Sequence, residues 1–183
     1  MLPDENKMED MIELYLDESQ RVLGLIDEVE VARFVSTILL AYEKGSKIFV
    51  CGNGGNAAYV ANLVVDLNIH PFVSTNKSES GGINRRKGFS CVDLCSHGAM
   101  LTGILNDRGA ERVFADQMIA LDAQKEDVLI GFTGSGTSKN VVAALREAKQ
   151  LGMTTVMVTR KPSSPASLEA DVSKVTAEVQ LKI

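Results

Sequence analysis

Two short apolar runs in this chain each empty into a loop of glycine, serine, threonine and asparagine. They are Ile48-Phe49-Val50-Cys51 and Val128-Leu129-Ile130-Gly131-Phe132. The loops are Gly52-Asn53-Gly54-Gly55-Asn56 and Thr133-Gly134-Ser135-Gly136-Thr137-Ser138, and a helical pattern follows each. A short, wholly apolar run suits a strand covered on both faces, and such strands belong to parallel sheets whose crossover helices supply the cover. Strand, loop and helix therefore alternate as in an α/β fold with helices on both faces of a parallel sheet.

The remaining segments fit that scheme. Before residue 46, Met8, Met11, Ile12, Tyr15, Val22 and Leu23 recur at helical steps, as do Val31, Phe34, Val35, Ile38, Leu39 and Tyr42. They predict an N-terminal helical hairpin over 4–45, with Gly45 closing the second helix. Helices are predicted over 57–67, 98–106, 111–121 and 140–151, and strands over 89–94 and 154–159. Val179, Leu181 and Ile183 alternate with polar residues and predict a last strand. Residues 68–88 read as a solvated polar loop with one basic run, Arg85-Arg86-Lys87. No linker divides the 183 residues, so a single domain over 1–183 is expected, with the α/β core at 46–183.

Composition narrows the function. The net charge is −5 and there is no Trp, which disfavours nucleic-acid wrapping and base-stacking platforms. The first ten residues are acidic where a secretory leader would be basic and then apolar. The longest uncharged stretch, 48–65, carries glycines and asparagines that a membrane helix would not hold together. A cytoplasmic protein without membrane or nucleic-acid partners is expected. Cys51, Cys91 and Cys95 read as reduced thiols, and the spacing of Cys91, Cys95 and His97 is short for a tetrahedral metal site.

The two loops carry the chemistry. In a parallel sheet both lie at the carboxyl edge, where open α/β sheets bind ligands. Glycines let backbone N–H groups converge, hydroxyls add donors, and the helix N-terminus behind each loop favours an anion, with phosphate the natural guest. The first loop satisfies G-x-G-x-x-G/A, but no acid stands at a second strand end about twenty residues on, as a dinucleotide site requires. The second lacks the Gly-Lys-Ser/Thr of a nucleotide P-loop.

Residues 48–58 resemble the first signature of sugar isomerase (SIS) domains, specifically the phosphoheptose isomerase group. Residues 127–141 resemble its Ser/Thr-rich phosphate loop, and Leu101-Thr102-Gly103-Ile104-Leu105-Asn106-Asp107 resembles a third block. The resemblance implies a flavodoxin-like five-stranded parallel sheet and a homotetramer with sites at subunit interfaces. It also implies sugar-phosphate binding by Asn53, Gly54, Gly55, Asn56, Asn106, Asp107, Thr133, Gly134, Ser135 and Ser138.

The family's first-loop helix carries a His and, one turn later, a Glu, used as metal ligands and acid/base. Asn62 and Asp66 stand there, one turn apart on a helix face. Asp66 is the implied general base, with a reach shorter than Glu by one C–C bond. His97, where the family has Asp, is a second acid/base candidate, and a plain loop histidine explains it equally. Zinc is implied by the resemblance, but its ligand set is incomplete. The family's final helix, with its Gln and His, has no counterpart before Ile183. The function implied is aldose–ketose isomerisation of a sugar 7-phosphate such as sedoheptulose 7-phosphate. The alternative is a non-catalytic phosphosugar-binding sensor or adaptor of the same fold.

Overall fold

The computed structural model describes residues 5–69, 88–161 and 163–175. Its strands are β1 (Lys47–Gly52), β2 (Ser90–Asp93), β3 (Val128–Phe132), β4 (Thr154–Thr159) and β5 (Val172–Val175). They form one sheet in the order β2-β1-β3-β4-β5, and every pairing is parallel. The helices are α1 (Glu5–Leu23), α2 (Glu28–Lys44), α3 (Gly55–Asn68), α4 (Gly98–Arg108), α5 (Ala115–Ala120), α6 (Lys139–Gln150) and α7 (Pro165–Leu168).

The pleat sends alternate residues to opposite faces, and both faces are covered. Ile48, Val50, Val128, Ile130 and Val156 pack with Ile38 and Ala41 of α2 and Val60 of α3. Phe49, Cys51, Leu129 and Met157 pack on the other face with Met118 of α5 and Val141, Leu145 and Ala148 of α6. Phe49, Ile48, Leu129 and Ile130 are fully buried, each side chain worth roughly 1.5–3 kcal/mol of burial. At the amino edge the buried carboxylate of Asp127 accepts from the N–H of Lys47 and of Gln124, both at 2.8 Å, tying β1 to the start of β3.

The N-terminal hairpin is built differently. Asp27 caps α2 by accepting from the N–H of Val29 (2.9 Å), and Gly45 ends it in the left-handed region at φ 69°. Yet among the described residues of α1 only Val22 is buried, while Ile12, Leu14 and Leu16 are more than half exposed.

Three expectations change. The predicted helix over 111–121 is a 3₁₀ turn, Ala110–Arg112, followed by the short α5. Gln117, buried, spends its amide on the carbonyls of Leu94 (2.9 Å) and Val113 (2.7 Å), the latter left free because the helix has not yet begun there. The break near 107–109 falls at Gly109, with φ 90°, so Asp107 and Arg108 remain in α4. The fifth strand is Val172–Val175, which carries no clear alternation. The predicted strand at 179–183 and nearly all of the polar loop, with its basic run, lie outside the described residues.

Candidate functional site at the carboxyl edge of the sheet

β1 and β3 are neighbours, with Gly52 opposite Phe132, so the two loops leave the same edge side by side. In the first loop Gly54 adopts φ 56°, ψ −123°, a conformation only glycine takes readily. Tight turns follow: the N–H of Asn56 donates to Asn53 and that of Ala57 to Gly54, each at 3.0 Å. A Cβ at Gly54 or Gly55 would meet nothing within 4 Å, so the space beside both residues is open among the described residues.

The second loop is closed on itself. Thr133, buried, shares a hydrogen bond with the Ser138 hydroxyl (2.9 Å) and accepts from the N–H of Gly136 (3.2 Å). Ser135 accepts from the N–H (3.2 Å) and hydroxyl (3.1 Å) of Thr137. Ser138 is the N-cap residue of α6 yet spends no side-chain bond on the cap. Neither loop contains a charged residue. An anion would be held by neutral donors and a helix terminus rather than by an ion pair.

The loops are joined by a residue that sequence reasoning did not single out. The Asn53 amide donates to Asn140 Oδ1 (2.9 Å) and the Asn140 amide donates back to Asn53 Oδ1 (2.8 Å). Nothing local marks Asn140, because its partner lies 87 residues away.

The other candidates are dispersed. His97 is the exposed N-cap of α4, its Nδ1 accepting from the N–H of Met100 at 3.3 Å. Asn62 donates to Asp66 Oδ2 at 3.0 Å, and both are exposed on α3. Asp66 is on the order of 16 Å from Gly55 at 1.5 Å per helical residue. Asn106 and Asp107, bonded to each other at 2.7 Å, stand at the far end of α4, about 14 Å from His97 on the same count. Asp107 instead lines a groove of about 510 Å³ between α4 and α5, with Arg108, Arg112 and Asp116. The structure thus brings 53–56 together with 133–138, and separates Asp66, Asn106 and Asp107 from them within one copy of the chain.

Cysteines underlie the first loop. The Cys95 thiol donates to the Gly52 carbonyl at 3.2 Å. Burial pushes it up to about 11, while Cys91 is raised to about 12 and Cys51 higher still, both also by burial. These thiols stay protonated at neutral pH. Among the described residues no three His, Cys, Asp or Glu side chains are grouped to hold a metal, and Asn62 offers Asp66 an amide proton. The described residues do not fit a zinc centre.

The model of the SIS domain family matches residues 15–160. The chain is 42% identical over 122 residues to a phosphoheptose isomerase of Helicobacter pylori (strain P12), covering 67% of this chain and 57% of that protein. It is 35% identical over 147 residues to a phosphoheptose isomerase of Roseiflexus sp. (strain RS-1), covering 80% and 68%. The alignment therefore spans little more than half the length of the first. In fold the chain is similar to a phosphoheptose isomerase from Francisella tularensis, with TM-score 0.77, 21% identity, and 98% and 89% of the two chains covered. The doubly wound sheet, the two loops at its carboxyl edge and this extent of match agree, and the chain belongs to the SIS domain family.

Proposed function

We propose that the protein is a sugar-phosphate aldose–ketose isomerase of the phosphoheptose type. The observation that carries this reading is the pair of Gly/Asn and Ser/Thr loops, tied together at one sheet edge and open above Gly54 and Gly55. In this reading the hydroxyls of Thr133, Ser135 and Ser138 turn from one another to the phosphate oxygens. The N–H groups around 53–56 complete the cradle, with Gly134 keeping the second loop narrow. The phosphate supplies binding energy shared by ground and transition states, so it anchors the sugar rather than speeding the proton transfer.

Asp66 is the general base, moving a proton between C1 and C2 through an enediol. Phosphorus to C2 of an extended seven-carbon sugar spans on the order of 9 Å, judged from bond lengths near 1.5 Å. That is less than the roughly 16 Å of α3 between Gly55 and Asp66, so in this reading Asp66 acts on a sugar whose phosphate is held by the loops of another copy. His97, Asn106 and Asp107 join the site only if a second copy brings them, and the exposed apolar faces of α1 and α2 suit such an assembly, a homotetramer in our reading. The setting proposed is cytoplasmic, with no helix among the described residues long and apolar enough to cross a membrane.

One observation favours a second reading, a phosphosugar-binding sensor without turnover: Asn62 occupies one oxygen of the Asp66 carboxylate. An isomerisation assay on sedoheptulose 7-phosphate separates the two. We expect turnover by the wild type and a loss of about 10²–10⁴-fold in Asp66→Ala, the usual worth of a general base. Equal rates remove Asp66 from the mechanism. Thermal stabilisation by sugar phosphates without turnover selects the sensor.

A further inference from the structure

The reciprocal bond between Asn53 and Asn140 joins two exposed or half-exposed side chains, so its net contribution to stability is small. Its geometric content is larger. Two amides that each donate to and accept from the other form a closed ring, and both planes become nearly coplanar. Each amide uses the N–H that lies beside its own oxygen, so the second N–H of each points away from the ring. Asn140 Oδ1 also accepts from the N–H of Val141 at 3.0 Å, anchoring that amide to the first turn of α6. Asn140 is therefore the fixed partner and Asn53 the one it orients. The pair also sets the span between the first loop and the second.

We propose that Asn140 is a positioning residue for the sugar-phosphate site. It holds the Asn53 amide with its free N–H turned to the guest, and keeps the two loops one amide pair apart. This rests on the reading of the loops as a phosphosugar site, but it adds a residue outside the two loops and a way for it to act. Neither an aspartate, which cannot donate to Asn53 Oδ1, nor an alanine can replace it.

The test is a double-mutant cycle on Asn53→Ala and Asn140→Ala, reading affinity for inorganic phosphate and for sedoheptulose 7-phosphate. Alongside it, the Asn53 side-chain amide signals are followed by NMR in the wild type and in Asn140→Ala. We expect each single variant to bind about tenfold more weakly and the double variant no more weakly than Asn53→Ala. The Asn53 amide should gain mobility in Asn140→Ala while the melting temperature moves by no more than about 3 °C. A purely structural Asn140 would shift the melting temperature without coupling to Asn53. Losses that multiply to about a hundredfold, unchanged binding in Asn140→Ala, or unchanged Asn53 signals overturn the proposal. If the wild type itself binds neither probe, the functional reading falls and this role with it; wild-type binding with an indifferent Asn140 overturns this role alone.

Discussion

The two loops use glycine for opposite ends. At Gly54 and Gly55 a Cβ would meet nothing within 4 Å, so among the described residues no neighbouring atom requires glycine there. At Gly136, with φ 69°, a Cβ would fall 2.1 Å from Ser164 Oγ, so the absent side chain leaves room for the start of α7. The N–H of Ala166 confirms that closeness by donating to the Gly136 carbonyl at 3.1 Å. One loop has open space over its glycines and the other is braced from behind by its own chain. Similar loop compositions thus hide a difference in how closely the chain packs against them.

The sharpest way to break this comparison is Gly136→Ala. It adds left-handed strain to a clash with the buried Ser164, and should cost about 3 kcal/mol or more, lowering the melting temperature by about 6–12 °C. A loss below 1 kcal/mol in chemical denaturation would show that Ser164 yields, and that the second loop is not braced.

Alkaline pH distinguishes the loops next. The second loop has no titratable group, whereas the root of the first leans on Cys51 and Cys95. A thiol whose folded value is raised binds its proton longer in the folded than in the unfolded state. Its stabilising contribution is complete below about pH 8.5–9 and is lost as pH rises towards 11 and beyond. Stability should fall at up to about 1.4 kcal/mol per pH unit per thiol above pH 9, and denaturation of Cys95→Ala should show a shallower slope.

The smallest effects on folding come from the first loop itself. Gly54→Ala incurs the strain of its backbone angles alone, about 1–3 kcal/mol. Gly55→Ala starts a helix in open space and should leave the melting temperature within about 2 °C. It places a methyl over the cradle, so sugar-phosphate affinity should fall about tenfold by calorimetry. Unchanged affinity would mean that the guest does not lie over Gly55.

The strands that carry the site were legible in the sequence because they are buried on both faces. Ile48-Phe49-Val50 and Val128-Leu129-Ile130 need no neighbour to reveal them. The fifth strand escaped notice because Val172-Ser173-Lys174-Val175 is short and at the sheet edge, where packing constrains composition least. The helix expected over 111–121 is a 3₁₀ turn and a short helix, with the Gln117 side chain on the Val113 carbonyl, an interaction periodicity does not encode. Within the site, loop chemistry was readable from residue type, whereas Asn140 became visible only when β1 and β3 were laid side by side.

That adjacency also fixes when the site comes into being. Ile48 pairs with Val128, eighty residues away, and closing so long a loop is among the slower steps available to a chain of this kind. Neither loop can hold its partner before β1 and β3 are zipped together. In the proposed reading, phosphosugar binding therefore reports that β1 and β3 have paired, and a fragment lacking either strand would be silent however well its remaining half had formed.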